Sequence, residues 1–266
     1  MKNKVVIITG ASSGIGKALA VEFDRLGAKL VLAARNLEKL NELSAKLQGT
    51  DHLFLRADVT LEKDCENLVR SAIEKYSRID VLINNAGISM RALFQDVDLS
   101  VIRKLMDTNF WGTVYCSKYA LPYLLDSRGS LVGVSSVAGY KGLPGRTGYS
   151  ASKFAIHGLL EVIRIENMKK GLHVLIACPG FTASNIRNVA LSKDGTSQGE
   201  TPLDESKLMP AEMVAGKIIE AISKRKDRIT LTAMGKLTVF LNKFFPKLMD
   251  KMVYNHMAKE PDSPFK

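Results

Sequence analysis

Tyr149 and Lys153 are the two residues whose types and spacing point most directly to chemistry. They lie four positions apart at the start of a predicted helix of about residues 149–169, so both side chains project from one face, one turn apart. A free phenol has a pKa of about 10, and lowering it to about 7 requires roughly 4 kcal/mol. An ammonium group about 4 Å away supplies on the order of 4 kcal/mol at an effective dielectric of about 20. The pair therefore predicts a tyrosine that transfers a proton near neutral pH.

Three glycines, Gly10, Gly14 and Gly16, lie between an apolar β-branched run and a helical pattern near the start of the chain. Glycines at such a junction permit a tight turn, close approach of the backbone to a pyrophosphate group, and close packing of helix on strand. Turns need glycine for steric reasons alone, so the residue type by itself is weak evidence. The place between a predicted strand and a predicted helix is the context that a dinucleotide site needs.

The elements that must position these residues follow from apolar runs that alternate with longer helical patterns. The runs predict seven strands, near residues 5–8, 30–32, 53–55, 81–83, 131–134, 174–177 and 229–232, and one long helical region covers about 100–125. Near-continuous apolar strands separated by helices are typical of a parallel sheet covered on both faces. We therefore expect one α/β domain over 1–266, a Rossmann fold with a doubly wound sheet, and a polar, mobile substrate loop at about 183–208.

Ala34 and Arg35, at the end of the second predicted strand, bear on the choice between NAD and NADP. Folds of this kind that use NAD place an acidic side chain there to hold the ribose 2′-hydroxyl group. A guanidinium group instead pairs with a 2′-phosphate group through charge-assisted hydrogen bonds. The missing acid and the adjacent arginine predict NADP(H) as the cofactor, with Ser13 and Asn36 as further contacts.

The glycine spacing G-x-x-x-G-x-G resembles that of the short-chain dehydrogenase/reductase (SDR) family, and further motifs of that family follow in order. These are Asp58-Val59, Asn84-Asn85-Ala86-Gly87, Asn109, Ser136, Tyr149, Lys153 and Pro179-Gly180. The resemblance covers about residues 4–232. Because the motifs occur jointly and in the family's order, the match is highly specific.

The resemblance implies a catalytic role for four of these residues. Tyr149 is the expected acid/base, and Lys153 is expected to assist it and to reach the nicotinamide ribose. Ser136 is expected to orient the substrate carbonyl group. Asn109 is expected to hold a water molecule that links Lys153 to solvent. Ser135 would face the other way on its strand and is given no role.

The resemblance also implies the cofactor-binding set. Its expected members are Gly10, Ser12, Ser13, Gly14, Ile15, Gly16, Arg35, Asn36, Asp58, Val59, Asn85, Ala86, Gly87, Tyr149, Lys153, Pro179, Gly180 and Thr182. The match is looser after the sixth strand, where Thr182 replaces a more usual apolar residue and Ser184 stands where the family often has threonine. Which of these hydroxyl groups anchors the nicotinamide carboxamide is therefore left open.

The extended, basic and apolar C-terminus after Thr232 resembles that of one branch of the family, which contains 11β-hydroxysteroid-dehydrogenase-like and retinoid-type reductases. We expect the chain to lack that branch's N-terminal membrane anchor. This resemblance implies hydride transfer between NADP(H) and an apolar or lipid-like carbonyl compound or secondary alcohol. Candidate pocket residues are Met90, Phe94, Leu143 and Phe181.

Two other functions stay open. A 3-oxoacyl-thioester reductase would suit the basic surface, because acyl carrier proteins and coenzyme A are acidic. A non-catalytic NADP(H)-sensing protein would need the glycines and Arg35 but not the catalytic residues. The presence of all four catalytic residues argues against the sensor.

The net charge of +11 is concentrated, since residues 217–251 carry nine basic and three acidic side chains. A basic surface can attract nucleic acid, acidic lipid or an anionic cofactor. No nucleic-acid-binding motif accompanies the charge, so no nucleic-acid partner is expected. We expect a solvated basic surface on a homodimer or homotetramer.

The remaining composition bears on metal binding and location. Cys65, Cys116 and Cys178 are widely spaced in apolar or helical stretches and are expected to be reduced in a cytoplasmic protein. The four histidines lie far apart, so no metal site is expected. No apolar run reaches the roughly 18 residues that a membrane span needs.

Beyond the family's motifs, an amphipathic extension at about 233–266 carries an apolar stripe and a separate basic face. The stripe is Leu237, Leu241, Phe244, Leu248 and Met252, and the basic residues are Lys236, Lys243, Lys247 and Lys251. Pro246 predicts a kink there or the start of a second helix. Residues 237–257 are expected to dock on the domain or on a partner subunit and to wall the substrate site. Contact with an anionic membrane surface is the less favoured alternative.

Overall fold

The computed structural model describes residues 1–199, 201, 204, 208–260 and 263–265, and this part of the chain contains one sheet of seven parallel strands. The strands are β1 (Val5–Thr9), β2 (Lys29–Ala34), β3 (Leu53–Arg56), β4 (Val81–Asn84), β5 (Ser130–Val134), β6 (His173–Cys178) and β7 (Arg228–Thr230). Their spatial order is β3-β2-β1-β4-β5-β6-β7. The order reverses between β1 and β4, the kind of switch point at which open α/β sheets bind ligands.

Helices cover both faces of this sheet. Most of its strands are therefore buried along their whole length. In the described residues the α-helices are α1 (Gly14–Arg25), α2 (Leu37–Ser44), α3 (Glu62–Tyr76), α4 (Leu99–Leu105), α5 (Gly112–Asp126), α6 (Thr147–Glu166), α7 (Ala211–Ser223), α8 (Ala233–Phe244) and α9 (Pro246–Met257). Side chains of α1, α2 and α7 form the core on one face, and those of α3, α5 and α6 form it on the other. The predicted Rossmann fold with a doubly wound parallel sheet is confirmed.

Two element boundaries differ from the sequence-based expectation. The long helical region is divided by a π-helical turn, Met106–Trp111, between α4 and α5. The last strand ends at Thr230, and Thr232 caps α8 by accepting a hydrogen bond from the backbone N–H of Gly235 at 3.0 Å. A β-branched residue that extends a strand pattern therefore serves here as a helix cap.

The described part of the predicted substrate loop packs against residues that follow β4. Met90 and Thr182 form isolated β-bridges to Leu191 and Met209, respectively, and Leu191 is buried. Residues 200, 202–203 and 205–207, which include Pro202 of the predicted loop, lie outside the described residues.

The C-terminal extension breaks where the sequence predicts, since Pro246 is the first residue of α9. The apolar stripe is not its docking face in this chain. Its four members Leu237, Phe244, Leu248 and Met252 are exposed, and the fifth, Leu241, is half-buried.

The extension docks instead through the opposite side, where Thr238, Met249 and Met257 are buried. Gly235 explains why this side lies close to the domain, because a Cβ atom there would lie 2.8 Å from the Val137 side chain. On α8 the small residues Gly235 and Thr238 face the domain, on α9 Met249 and Met257 do so, and the members of the apolar stripe other than Leu241 are left exposed. Residues 261–262 and 266 of the predicted extension lie outside the described residues. No helix in the described part of the chain is both long and apolar enough to span a bilayer.

Candidate active site

The glycine-rich turn after β1 forms a cradle at the switch point of the sheet. Gly10 has a φ of +65°, and a Cβ atom there would lie 2.8 Å from the Ala86 Cα atom. A Cβ atom at Gly16 would collide with the carbonyl oxygen of Gly10. The Asn85 side-chain amide donates hydrogen bonds to the carbonyl groups of Thr9 and Gly10, at 2.9 and 3.2 Å. Asn85 therefore shapes the turn with its side chain, and its predicted contact with the cofactor stays a prediction.

The same turn offers backbone N–H groups to an anion. Ser13 precedes α1 in extended conformation, and its side chain makes no capping hydrogen bond. The first-turn N–H groups of α1 and the Ser13 hydroxyl are thus available to an anion. Gly14 has a φ of +50° and lies against Ser184, whose Cβ atom would be 3.3 Å from an added methyl group. The predicted residues Ser12, Ser13, Gly14 and Ile15 fit the pyrophosphate of a nicotinamide dinucleotide.

The end of β2 lies beside this turn, because the Ala11 N–H donates to the Ala33 carbonyl at 3.1 Å. Ala34 is buried, whereas Arg35 and Asn36 are exposed. The Asn36 side chain accepts a hydrogen bond from the Lys39 N–H at 2.8 Å and so caps α2. The ribose end of the predicted site therefore faces an exposed guanidinium group.

Asp58 and Val59 lie at the same edge of the sheet, after β3. The Asp58 carboxylate accepts hydrogen bonds from the backbone N–H and the hydroxyl group of Thr60, at 3.0 and 2.9 Å. Val59 packs closely on α5, since a Cβ atom at Gly112 would lie 2.8 Å from a Val59 methyl carbon. These contacts fix the turn whose residues Asp58 and Val59 were predicted to bind the cofactor.

The catalytic candidates on α6 and after β5 are brought together. The Ser136 hydroxyl lies close enough to the Tyr149 phenol to act against the rise of its pKa. The Lys153 ammonium lies 5.7 Å from the centre of the Tyr149 ring and donates to the Val134 carbonyl at 2.9 Å. Ser135 points away, as expected, and its hydroxyl lies 2.8 Å from His157 Nε2.

The proton affinity of this pair is governed by burial. Burial raises the pKa of Tyr149 above its ordinary value, and the nearby Ser136 hydroxyl and the Arg146 charge oppose this rise without reversing it. Burial also lowers the pKa of Lys153 to about 8. The expectation that Lys153 helps to lower the pKa of Tyr149 stays a prediction, and the cost of burying both groups opposes this effect.

Asn109 joins the π-helical turn to the rest of the site and is completely buried. Its side-chain oxygen accepts a hydrogen bond from the Ile88 N–H at 2.8 Å. Its amide nitrogen donates to the Ile88 carbonyl at 3.0 Å and to the Ser152 hydroxyl at 2.9 Å. A Cβ atom at Gly87 would lie 3.1 Å from the Asn109 oxygen and 3.5 Å from Lys153 Nζ. Asn109 is thus beside Lys153, as the family resemblance implied, and holds the segment after β4 against α6.

The segment after β6 supplies the last predicted contacts. The Pro179 carbonyl accepts from the Val137 N–H at 3.3 Å, and Gly180 lies against Thr232, which an added Cβ atom would strike. The Thr182 side chain is buried, and its hydroxyl donates to the Gly180 carbonyl at 3.2 Å. The choice between Thr182 and Ser184 as the carboxamide anchor stays open.

The four pocket candidates differ in position. Met90 is fully buried in an apolar cluster on which Tyr149 packs, and its sulfur accepts from the Gly148 N–H at 3.3 Å. Leu143 is half-buried. Phe94 is 67% exposed and Phe181 is 40% exposed, the latter with its ring 6.3 Å from that of His256 in α9. Phe181 and α9 therefore lie together on the outer side of the site.

Sequence reasoning missed a buried ionic cluster beside Tyr149. Glu260, which follows α9, forms ion pairs with Arg91 at 3.6 Å and with Arg146 at 3.3 Å, and all three side chains are largely buried. Arg146 directly precedes α6 and lies three positions before Tyr149. No local pattern could have revealed the cluster, because its members come from distant parts of the chain. Ser152 was also missed, although its position three residues after Tyr149 was a usable signal.

Comparison with known proteins agrees with this geometry. The family model described as short chain dehydrogenase matches residues 4–194. The chain therefore belongs to the short-chain dehydrogenase family, whose members are oxidoreductases that bind nicotinamide cofactors.

Its curated relatives identify the branch. The chain is 35% identical over 262 residues to a dehydrogenase/reductase SDR family protein 7-like from Dictyostelium discoideum, with 95% of this chain and 81% of that protein covered. It is 38% identical over 261 residues to 11-beta-hydroxysteroid dehydrogenase A from Arachis hypogaea, with 93% and 73% covered. The predicted resemblance to the 11β-hydroxysteroid-dehydrogenase-like branch is confirmed.

Solved structures agree with the fold. A short-chain dehydrogenase from Streptomyces avermitilis matches with a TM-score of 0.82 and 26% identity, over 97% of this chain and 100% of that one. A short chain dehydrogenase/reductase from Burkholderia phymatum, in complex with NAD, matches with a TM-score of 0.80 and 26% identity, over 93% and 95%.

Proposed function

We propose that this protein is an NADP(H)-dependent oxidoreductase that transfers a hydride between the nicotinamide and an apolar carbonyl compound or secondary alcohol. The observation that carries the proposal is the meeting of Ser136, Tyr149 and Lys153 next to Gly87, at the edge of the sheet where the glycine-rich cradle lies. A single tyrosine or lysine on a helix would not by itself support an oxidoreductase function.

The cofactor supplies the hydride, and the side chains manage the proton. In reduction, the Ser136 hydroxyl donates a hydrogen bond to the substrate carbonyl oxygen, and the Tyr149 phenol donates the proton that completes the alcohol. A raised pKa keeps Tyr149 protonated at neutral pH, which suits a proton donor. Lys153, held by the Val134 carbonyl, stabilises the charge that forms on the phenol oxygen. Asn109 holds the segment after β4 against α6, beside Lys153.

The preference for NADP(H) rests on charge at the end of β2. Ala34 offers no carboxylate to a ribose 2′-hydroxyl group, and the exposed Arg35 offers a guanidinium group to a 2′-phosphate group. The apolar nature of the substrate is supported by the buried cluster of Met90 and its neighbours, on which Tyr149 packs. The names of the curated relatives from Arachis hypogaea and Sesamum indicum, which are 11-beta-hydroxysteroid dehydrogenases, agree with this substrate class.

A single domain over 1–266, assembled as a homodimer or homotetramer, completes the proposal. The exposed apolar residues of α8 and α9 support a partner surface, and a cytoplasmic location stays a prediction.

The test is turnover by a Tyr149→Phe variant with NADPH, a panel of apolar ketones and acetoacetyl-coenzyme A. Turnover should fall by several orders of magnitude while NADPH binding, followed by fluorescence, stays nearly unchanged, since only a proton donor is lost. Tyr119→Phe is the matched control, because Tyr119 contacts Glu62 on the surface. Near-normal turnover by Tyr149→Phe would refute the assignment, and a preference for the thioester would favour the acyl-thioester reductase.

A further inference from the structure

The tail that follows α9, which the structure describes at residues 258–260 and 263–265, packs on the turn before α6. Glu260 is buried in this contact. Gly145 has a φ of +68°, and a Cβ atom there would lie 3.5 Å from the Pro264 side chain. The tail therefore runs along the residues that lead into the helix that carries the catalytic pair.

Glu260 brings a carboxylate to two guanidinium groups inside this contact. A carboxylate oxygen of Glu260 lies 3.3 Å from a nitrogen of Arg146 and 3.6 Å from a nitrogen of Arg91, and the three side chains are 5%, 13% and 9% exposed. The Ala92 N–H donates to the Gly145 carbonyl at 3.0 Å, so the backbone holds the two arginines near each other. At this burial, loss of Glu260 would leave the Arg146 charge in the interior without this counter-charge, an effect that a surface ion pair would not show.

Arg146 connects this ionic cluster to the catalytic tyrosine. It directly precedes α6, and its carbonyl accepts a hydrogen bond from the Ser150 N–H at 2.8 Å, so its backbone joins the first turn of the helix. Side chains three positions apart lie on the same side of a helix, and Tyr149 is three positions after Arg146. Burial raises the pKa of Tyr149, and among the charged groups Arg146 opposes this rise most.

Other charged and titratable groups also face Tyr149. Lys153 is on the same helix, with its ammonium group 5.7 Å from the centre of the tyrosine ring. Cys178 acts from the end of β6, and Arg187 acts from the segment after it. Burial lowers the pKa of Lys153 to about 8 and raises that of Cys178 to about 12. Among these groups, Arg146 is the one that pairs with Glu260 of the tail.

We propose that Glu260 is a positioning residue for proton transfer: it holds the Arg146 guanidinium group beside Tyr149 and offsets part of its charge. Docking of the tail thereby adjusts the pH range in which Tyr149 exchanges its proton. This inference rests on the proposed function, because it takes Tyr149 as the acid/base. Glu260 acts through Arg146 and does not touch the reacting atoms.

The pH dependence of kcat/KM for oxidation of a secondary alcohol with NADP⁺ tests the proposal. In this direction Tyr149 accepts a proton, so kcat/KM rises with pH through an inflection. Glu260→Gln removes the offset to the Arg146 charge and should move the inflection to lower pH by about 0.5 to 1 unit. Arg146→Met removes the charge that favours the phenolate and should move it to higher pH by a similar amount. In the double variant the inflection should lie near that of Arg146→Met, since Glu260 acts through Arg146.

Glu74→Gln is the matched control, because Glu74 pairs with Arg70 at 3.6 Å on the exposed surface of α3. Its profile should coincide with that of the unmodified protein. Circular dichroism checks the fold of each variant. Arg146→Met leaves Glu260 paired with Arg91, so its upward shift tests the proposal even where the Glu260→Gln chain does not fold.

A second measurement needs no substrate. The ultraviolet absorbance of the phenolate is titrated in each protein and in the same protein with Tyr149→Phe, and the difference reports Tyr149 alone, whereas the turnover profile also contains the titration of Lys153. Opposite shifts for Glu260→Gln and Arg146→Met are expected here as well.

Shifts of the same sign in the two variants, or a fall in turnover with no shift, would make the role of Glu260 merely structural and overturn the proposal. If Tyr149→Phe abolishes turnover and the opposite shifts are absent, this inference is wrong while the proposed function stands. If the phenolate titration shows the opposite shifts but no alcohol or ketone of the panel is turned over, the action of Glu260 on Tyr149 is supported and the proposed function is wrong.

Discussion

Replacing Lys153 with methionine should stabilise the fold while it abolishes turnover. Lys153 is almost completely buried, and burial lowers its pKa from 10.5 to about 8. A lysine whose pKa is depressed in the folded state is stable there in its neutral form, so it has no cost to folding above its unfolded pKa. As pH falls through the folded pKa the lysine must carry its charge while buried, and the full cost to folding is then present. At about 1.36 kcal/mol per pH unit, the drop from 10.5 to about 8 corresponds to about 3 kcal/mol that opposes folding at pH 7.

Methionine has a similar length and no charge, but it loses the hydrogen bond to the Val134 carbonyl, worth about 1 kcal/mol. The net gain in the free energy of unfolding should be about 2 kcal/mol at pH 7. The difference between the two proteins should then shrink by about 2 kcal/mol as pH rises from about 7 to about 9.5, because the unmodified lysine loses its proton more readily in the folded state.

Urea unfolding of both proteins at several pH values measures these quantities. Other buried groups that titrate at high pH, such as Cys178 with a pKa of about 12, are present in both proteins and largely cancel in the difference. Lys118→Met is the control, because Lys118 is exposed on α5, and it should change stability by less than about 0.5 kcal/mol at every pH. A Lys153→Met variant less stable than its parent at pH 7, or a difference that does not vary with pH, would refute the reasoning.

Three further predictions test the cofactor site, the core and the extension. Arg35→Ala should weaken NADPH binding by about ten- to 150-fold in a fluorescence titration, and comparable loss of NADH binding would contradict it. Gly133→Ala should lower the free energy of unfolding by about 1–3 kcal/mol in urea, since the methyl group would overlap the Leu160 side chain; an unchanged midpoint would contradict it. Truncation after Thr232 should leave NADPH binding intact but impair turnover or solubility. Salt-sensitive binding to anionic vesicles that disappears on truncation, with activity retained, would establish membrane contact instead.

The sheet could be predicted from sequence because its strands are buried and therefore read as short apolar runs. Errors arose where one residue type serves two structures. Thr232 extends a β-branched pattern, yet it caps α8. The apolar stripe of α8 and α9 was expected to dock on the domain or on a partner subunit. Within this chain the side with Gly235 and Thr238 docks, where backbones can approach closely, and contact of the stripe with a partner subunit stays a prediction. The hydrophobicity of a residue predicts how much free energy is gained when that residue is buried. It does not predict how closely a helix can approach the domain.

The catalytic residues could be predicted because Tyr149 and Lys153 share one helix, where spacing fixes relative position. The pKa values of these two residues could not be predicted, because the degree of their burial depends on the whole fold. The ion pairs of Glu260 with Arg91 and Arg146 were equally inaccessible, because they join residues more than a hundred positions apart. The roles of the cofactor-binding residues stay predictions, although the structure gathers most of them at one edge of the sheet.

The π-helical turn at Met106–Trp111 makes this part of the chain sensitive to residue number. Such a turn is equivalent to an α-helix with one residue inserted. Deletion of one residue would let α4 and α5 join as a regular helix, but would rotate one relative to the other by about 100°. Since α4 packs on α6 and α5 packs on α3, both contacts could not survive together, and Asn109 would turn away from Ile88. In a deletion scan, single-residue losses here at positions other than Asn109 should be far less tolerated than losses in the exposed turn at about 49–51, even though these deletions remove no catalytic side chain.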